Sequence, residues 1–289
     1  MNYKKIAVYG SRRQHGNVEE IRRLILGLVL DGAQLCMHEK LYDHLCGELS
    51  IDLNGVRKVY ECPADADMAL SIGGDGTYLR TVGWINDASM PVLGINAGHL
   101  GFLTAISLHE ACDMLNLNED LYDTFRVEPL TMLQPRADGL AHCPAALNEV
   151  VIAKEDSASI ITARVNLNGT LLADYKADGL IISTPTGSTA YNLSVGGPIV
   201  EPSAPVWVIS PIAAHSLTLR PLVINNDTEV AVKVEGRGRS FRMVIDGKSF
   251  SLPMGSEVVI GKAAATVNML QLKDRPFTKI ICSKLSFNG

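Results

Sequence analysis

Short, wholly apolar runs alternate with amphipathic ones over the first part of the chain, a rhythm that predicts buried strands separated by helices. Lys5 to Gly10 reads as a first buried strand, ending at Gly10-Ser11. Val18, Ile21, Leu24, Ile25, Leu28 and Val29 recur at helical spacing behind Asn17, a suitable N-cap. Glu19 and Glu20 fall in the first turn of that helix, and Gly32 stops it. Ala33 to Met37 predicts a second strand, and a polar segment without clear periodicity follows to about Ala66. Met68 to Ile72 is the next strand, Thr77 to Ile85 a helix, and Pro91 to Ile95 a further strand. Ser107 and Glu110 form a capping-box pattern that opens a helix running to about Leu117. Strands and helices in alternation build a parallel, doubly wound sheet with helices on both faces, which binds ligands beyond the carboxyl ends of its strands.

From about Phe125 the pattern changes to short β runs at Val151–Ala153, Thr162–Leu167, Leu171–Tyr175, Leu180–Ser183, Val206–Ser210, Glu229–Glu235, Phe241–Asp246 and Glu257–Ile260. Asn168-Gly169 is a two-residue hairpin turn, Gly236–Arg239 a second loop, and Asp246-Gly247 a candidate third. Turn signals at this spacing predict a mostly antiparallel β-sandwich. Two domains are therefore expected, residues 1–124 and 125–269, with no repeat, low-complexity segment or long linker. The last apolar stretch, Lys279 to Leu285, fits either domain.

Composition narrows the class without naming the chemistry. The chain has 289 residues, 47% of them hydrophobic and 20% charged, as in an ordinary globular protein. A net charge of −5 argues against a nucleic-acid partner; Arg12-Arg13 and Arg22-Arg23 read as solvated pairs. The six cysteines are scattered without a C-x-x-C pair, so neither a zinc site nor a disulfide framework is indicated. The apolar run after Lys4-Lys5 is too short for a secretion signal, and none reaches the ~20 residues of a membrane span. The expected location is the cytoplasm, with no membrane partner.

Two stretches carry chemistry. Residues 69–80 read A-L-S-I-G-G-D-G-T-Y-L-R, an apolar strand turning through glycines into a helix. Glycines at such a turn let backbone N–H groups approach a phosphate, and the helix N-terminus favours an anion there. A carboxylate in that place is unfavourable unless it holds a cation, orients a hydroxyl or takes its proton. The plainer reading is a tight turn with Asp75 as N-cap. N-A-G-H-L-G-F-L, residues 96–103, is a second glycine-rich turn at a strand end. In the β region, K-A-D-G-L-I-I-S-T-P-T-G-S-T-A-Y-N-L-S-V-G-G-P spans 176–198 and presents a run of hydroxyl side chains up to Tyr191. These can hydrogen-bond a polar ligand, and the Tyr191 ring can stack on a base; alternatively the hydroxyls only cap local backbone. Asn148-Glu149, at the start of a strand, could pair locally or grip a sugar's hydroxyls. The Walker G-x-x-x-x-G-K-[ST], the dinucleotide G-x-G-x-x-G after a first strand and the G-x-S-x-G elbow are absent. The seven histidines are unclustered, although His99 and His215 lie beside motifs.

Together these stretches resemble the NAD kinases, which phosphorylate the 2′-hydroxyl of the adenosine ribose of NAD to give NADP. The resemblance rests on GGDGTYLR (73–80), GINAGHLGFL (94–103), LNEVVI (147–152), DGLIISTPTGSTAYNLSVGGP (178–198), SPIAAHSL (210–217) with RPLV (220–223), and IDG (245–247). It implies an α/β domain followed by a β-sandwich, with residues 270–289 returning to the first domain. By that resemblance Asp75 is the proton acceptor for the 2′-hydroxyl, Gly73, Gly74 and Gly76 face the ATP phosphates, and Arg80 balances charge near them. Gly76 and Arg80 also lie beside the NAD, and Phe102 lines its pocket, while Asn148 and Glu149 bind it by polar contacts. Thr186, Thr189, Ala190, Tyr191, Asn192, Leu193 and Ser194 surround the adenosine half, and Ala213 offers a backbone contact. Lys176 and Asp178 contact the dinucleotide, with a neighbouring subunit as one source. Mg²⁺ accompanies ATP without assignable protein ligands, and a homodimer or homotetramer with shared sites is expected. Lys248 departs from the pattern, where glutamine more often follows the D-G pair.

Two other functions compete. A lipid-type kinase shares GGDG but predicts an apolar substrate surface, against which the hydroxyl-rich 183–194 stretch argues. A dinucleotide sensor without turnover is supported by an altered Asp75, and Asp75 is intact.

Overall fold

The computed structural model describes residues 4–12, 17–85, 89–98, 101–115, 121–156, 160–216 and 218–285. The chain forms two compact units, Met1–Pro129 with Val267–Gly289, and Leu130–Thr266.

The first unit contains β1 (Lys5–Gly10), α1 (Val18–Leu30), β2 (Gln34–His38), α2 (Glu39–Asp43), a π-helical turn (His44–Glu48), β3 (Val56–Val59), β4 (Met68–Gly73), α3 (Asp75–Val82), β5 (Val92–Asn96), β6 (Ile106–Ser107), α4 (Leu108–Met114) and α5 (Leu121–Thr124). Its strands run parallel in the order β3-β2-β1-β4-β5. Alternation along each strand sorts the side chains onto two faces. Ile6, Val8, Leu35, Met37, Leu70, Ile72, Leu93 and Ile95 share one buried cluster with Ile21, Leu24, Ile25 and Leu28 of α1 and with Leu108 and Ala111 of α4. Each fully buried aliphatic of that α1 stripe contributes roughly 1.5–3 kcal/mol. On the opposite face lies α3, whose Thr81 Oγ1 donates to Ser71 Oγ of β4 at 2.9 Å. The doubly wound arrangement expected from the alternating pattern is therefore present, and its strand order reverses between β1 and β4.

Three local expectations are corrected. Asn17 precedes α1 but makes no side-chain cap; its Nδ2 donates instead to Ala97 O at 2.6 Å. α3 begins at Asp75 rather than Thr77, with extended Gly74 as N-cap, so Asp75 is the first helical residue and not the cap. The supposedly patternless segment before Ala66 holds α2, the π-helical turn and β3. His38 Nδ1 caps α2 by accepting from Lys40 N–H, and β3 is an edge strand that exposes Arg57 and Lys58. The capping box of Ser107 and Glu110 forms as expected. The far end of that predicted helix, about Leu117, lies outside the described residues.

The second unit is a sandwich of two sheets. Its elements are β7 (Phe125–Ala137, entered from the first unit), β8 (Glu149–Lys154), β9 (Ile161–Leu167), β10 (Thr170–Ala177), β11 (Gly179–Ser183), a 3₁₀ turn (Thr186–Thr189), α6 (Tyr191–Ser194), β12 (Val206–Ile212), β13 (Leu222–Asn225), β14 (Val230–Gly236), β15 (Ser240–Ile245), β16 (Lys248–Pro253) and β17 (Glu257–Leu272). Antiparallel β10-β9-β14-β17 faces antiparallel β13-β12-β11-β8-β15-β16. Ile161, Val165, Val232 and Val258 from one sheet and Ile152, Ile182, Trp207 and Met243 from the other belong to a single core. Asn168-Gly169 and Asp246-Gly247 both take positive φ, 48° and 79° and 43° and 83°, the signature of two-residue hairpin turns. β7, β13 and β16 were not expected. Pro129 and Pro135 interrupt the first, and the others are short edge strands with exposed positions. β17 runs on past Ile260 into the first unit, where Met269 and Leu270 pair parallel with Val92 and Leu93. α7 (Phe277–Leu285) then packs within that unit.

Candidate active site

The glycine turn lies where β4 ends. Gly73 has φ of +155°, and a Cβ there would overlap Thr77, so only glycine fits. Gly74 is extended, and a Cβ on it would meet nothing within 4 Å. Thr77 N and Tyr78 N close the first turn of α3 onto Gly74 O. The amides before them have no intrahelical acceptor, and free N–H groups at a helix start favour an anion.

Asp75 stands in this opening and is gripped from a second segment. Phe102 N–H donates to Oδ2 at 2.8 Å and Leu103 N–H to Oδ1 at 3.0 Å. Gly101 makes the grip possible, because a Cβ there would overlap Asp75 Oδ1. Thr104 Oγ1 accepts from Gly101 N–H and from Asn96 Nδ2, tying the segment back to β5. The carboxylate is thus oriented by two amides, and each oxygen keeps a second lone pair. Arg80, one turn on, donates Nη2 to Thr77 Oγ1 at 3.1 Å and is exposed. Gly73, Gly74, Asp75, Gly76, Arg80 and Phe102 are therefore brought together in the first unit; His99 lies outside the described residues.

In the second unit the hydroxyl-rich stretch folds against Asn148-Glu149. Thr184 N–H donates to Asn148 O, Thr184 Oγ1 to Leu147 O, and Gly187 packs so closely on Asn148 O that a Cβ would overlap it. Most of the hydroxyls turn out to serve the loop itself. Ser183 Oγ donates to Thr184 O, Ser188 Oγ to Val200 O and Thr189 Oγ1 to Thr186 O. Asn192 is wholly buried, donating to Ser188 O and Pro198 O and accepting from Ser210 Oγ. The face left outward carries Tyr191 and Ser194, with Ala190 and Leu193 half-buried beside them. Below it, Asn148 Oδ1 and Glu149 Oε2 are buried without a hydrogen-bond partner. Unsatisfied buried acceptors are costly and point to a missing donor.

Asp246 organises this corner, a role its hairpin position in the sequence did not reveal. Its carboxylate accepts N–H bonds from Leu147 at 2.6 Å, Asn148 at 3.0 Å and Glu149 at 3.1 Å. Burial raises the pKa of Asp246, against the pull of those amides. Burial and then the charge of Asp246 push Glu149 up to about 7, although Tyr191 N–H lowers it somewhat. A carboxyl titrating near neutrality can donate or accept a hydrogen bond.

Lys176, Asp178 and Ala213 form a separate group. His215 N–H donates to Lys176 O and Asp178 N–H to Ile212 O, while Lys154 Nζ pairs with Asp178 Oδ1 at 2.7 Å. Ala213 has φ of +47°, a conformation uncommon for a residue with a side chain outside a hairpin turn. Strand register sets this group apart: Gly179 pairs with Ala153 and Ile212, whereas Ser183 at the other end of β11 pairs with Glu149. The two ends lie ~13 Å apart at about 3.3 Å per residue.

Comparison with known proteins bears on the family and the fold. The ATP-NAD kinase N-terminal domain model matches residues 23–120 and the ATP-NAD kinase C-terminal domain model residues 147–272. The chain is 37% identical to an NAD kinase of Porphyromonas gingivalis over 286 residues, 99% of each protein. It is equally 37% identical to an NAD kinase of Bacteroides fragilis, over 99% of this chain and 98% of the relative. Among solved structures, yeast NADH kinase complexed with NADH superposes with a TM-score of 0.86 at 23% identity, covering 100% of this chain and 89% of that one. An Archaeoglobus fulgidus NAD kinase in complex with ATP gives 0.70 at 24% identity over 94% and 95%. At these identities the superpositions speak for the fold.

Proposed function

We propose that this chain, which belongs to the NAD kinase family, transfers the terminal phosphoryl group of ATP to the 2′-hydroxyl of the adenosine ribose of NAD. The observation that carries the reading is Asp75, a carboxylate held in fixed orientation by two amides at the mouth of a phosphate-binding turn. Phosphoryl transfer asks little covalent chemistry of a protein and much positioning. In this reading the Gly73–Gly76 amides cradle the donor phosphates, and an Asp75 lone pair takes the proton of the 2′-hydroxyl as its oxygen attacks phosphorus. Tyr191 and its neighbours Thr186, Thr189, Ala190, Leu193 and Ser194 flank the adenosine half, with Asn192 holding their loop. The buried acceptors of Asn148 and Glu149 receive ligand donors.

Among the described residues no group of three His, Cys, Asp or Glu could hold a metal. A Mg²⁺ ion accompanying ATP would have Asp75 as the carboxylate at that turn and would supply charge neutralisation when bound. The strand-length separation of Lys176, Asp178 and Ala213 from Glu149 supports their serving the site of a neighbouring subunit in a homodimer or homotetramer. No described helix is long and apolar enough to cross a membrane.

The test is a coupled assay: purified protein with NAD, ATP and Mg²⁺, read by an NADP-specific dehydrogenase. NADP should accumulate; NAD binding without NADP formation would instead establish a sensor. Gly74→Val sharpens the assignment of the turn. The extended backbone and the open space around Gly74 tolerate the side chain, so the variant should fold and bind NAD by calorimetry while its use of ATP collapses.

A further inference from the structure

The segment from Asn96 to Thr104 is bonded to the glycine turn at both of its ends. At its start, Asn96 pairs with Gly73 across the β4–β5 ladder, and Ala97 N–H donates to Gly73 O at 3.4 Å. Toward its far end, the Phe102 and Leu103 amides donate to the two Asp75 oxygens. Two buried side chains join those ends, Asn96 and Thr104. The Asn96 carboxamide accepts from Gly98 N–H at 2.6 Å and donates Nδ2 to Thr104 Oγ1 at 3.0 Å. Thr104 Oγ1 also accepts from Gly101 N–H at 2.8 Å, so both of its lone pairs are engaged. Gly101 and Thr104 are the residues on either side of the two gripping amides, and this hydroxyl fixes one to the other and both to the end of β5. Leu103 O and Thr104 Cα press so closely on Gly94 of β5 that a Cβ there would overlap them, and Ala105 N–H donates to Gly94 O at 2.9 Å.

We propose that Thr104, backed by Asn96, is a positioning residue for the transfer: its hydroxyl holds the Phe102 and Leu103 amides in the one arrangement that aims the Asp75 carboxylate at the ribose hydroxyl. The second glycine-rich stretch of the sequence then acts as a brace. It sets the base at a fixed place relative to the Gly73–Gly76 turn that cradles the donor phosphates, and a misplacement of about 1 Å in such a group can cost about 10²-fold in rate. The inference rests on the reading of Asp75 as the base. In a purely structural role the same two bonds would close a turn and affect every property of the protein alike.

A double-mutant cycle separates the two roles. Turnover, calorimetric NAD binding and melting temperature are measured for the wild-type chain, Thr104→Val, Asp75→Asn and the double variant, with Thr104→Ser as the conservative control. Valine keeps the shape of threonine and removes the acceptor. Thr104→Val should lower kcat roughly 10- to 100-fold while NAD affinity stays near wild type, and Thr104→Ser should recover most of the loss. In the Asp75→Asn background the same substitution should change kcat by about threefold at most, because the group it positions is gone. Equal falls in both backgrounds, or wild-type turnover in Thr104→Val, would overturn the assignment. So would a joint loss of turnover and NAD binding that Thr104→Ser does not recover. If Thr104→Val does not fold, Thr104→Cys, whose sulfur accepts only weakly in nearly the same space, runs the same cycle. Full turnover in Asp75→Asn alone would overturn the base reading, and that single variant shows it before any Thr104 substitution enters.

Discussion

Asp75 and Asp246 use the same device and arrive at opposite conditions. Each receives backbone N–H groups from a segment far away in sequence, two for Asp75 and three for Asp246. Asp75 sits half-exposed at a helix start, each of its oxygens held by one amide. Asp246 sits in a hairpin turn with a second carboxyl beside it, and burial there outweighs its three amides. The amides in the first case orient a half-exposed carboxylate, the one proposed above to take the ribose proton. In the second they let a carboxylate hold a backbone corner in place. Counting hydrogen bonds does not separate a working carboxylate from a structural one; burial and the neighbouring charge do.

The sharpest way to break this contrast is Asp75→Asn. The amide cannot take the ribose proton, so turnover should fall on the order of 10²- to 10³-fold. Its NH₂ also meets one of the two gripping N–H groups, so a small drop in melting temperature should accompany the loss, about 1 kcal/mol in stability. Gly101→Ala probes the same grip from the other side. It leaves the carboxylate in place chemically but displaces it, and should cost a large share of kcat with NAD binding intact. Full activity in either variant, measured by the coupled assay, would remove Asp75 from its role.

Asp246→Ala should reverse the balance of effects. Three amides lose their acceptor, and denaturant unfolding should show a loss of roughly 3 kcal/mol, with weakened NAD binding as the Asn148-Glu149 corner relaxes. A variant of wild-type stability would show that the corner is held by other means.

How far the sequence reached differs between the two aspartates. The glycine turn was legible because strand, glycines and carboxylate are contiguous between Met68 and Arg80. The grip by Phe102 and Leu103 was not, since nothing local marks an amide as a donor to a residue 27 positions away. Asp246 was visible only as a turn, and the raised pKa of Glu149 comes from burial first and then from that partner across 97 positions. In the fold, mostly apolar strands such as Met68–Ile72 were plain, whereas β3, with Arg57 and Lys58 on an edge, and β7, with two prolines, hide their alternation. The hydroxyl run was legible as unusual, yet its composition could not say that Ser183, Ser188 and Thr189 bond inward and leave Tyr191 and Ser194 facing out.

The smallest effect concerns Glu149 itself. Its carboxyl is at about 7 against an ordinary 4.5, so the folded state holds the proton more tightly than the unfolded chain. Stability from this group is therefore complete below about 4.5 and is lost as pH rises toward about 7. Glu149→Gln removes the ionisation, so the variant should match wild type at pH 4 and exceed it in stability at pH 8. Thermal melts across that range check the sign; a gap that closes as pH rises would mean that Glu149 is stabilised as an anion.

β17 has a consequence for how the protein is made. The residues that pair with Val92 and Leu93 are Met269 and Leu270, so they leave the ribosome only after the whole β-sandwich has been synthesised. At elongation speeds of about 5–20 residues per second that interval is roughly ten to thirty seconds. Through it, β5 has β4 on one side and, on the other, only the brief pairing of Ile95 and Asn96 with β6. An apolar strand edge left bare for that long is a template for other nascent chains. The first half of this sequence therefore emerges early but matures last, and a fragment cut before Val267 lacks the strand that closes its sheet.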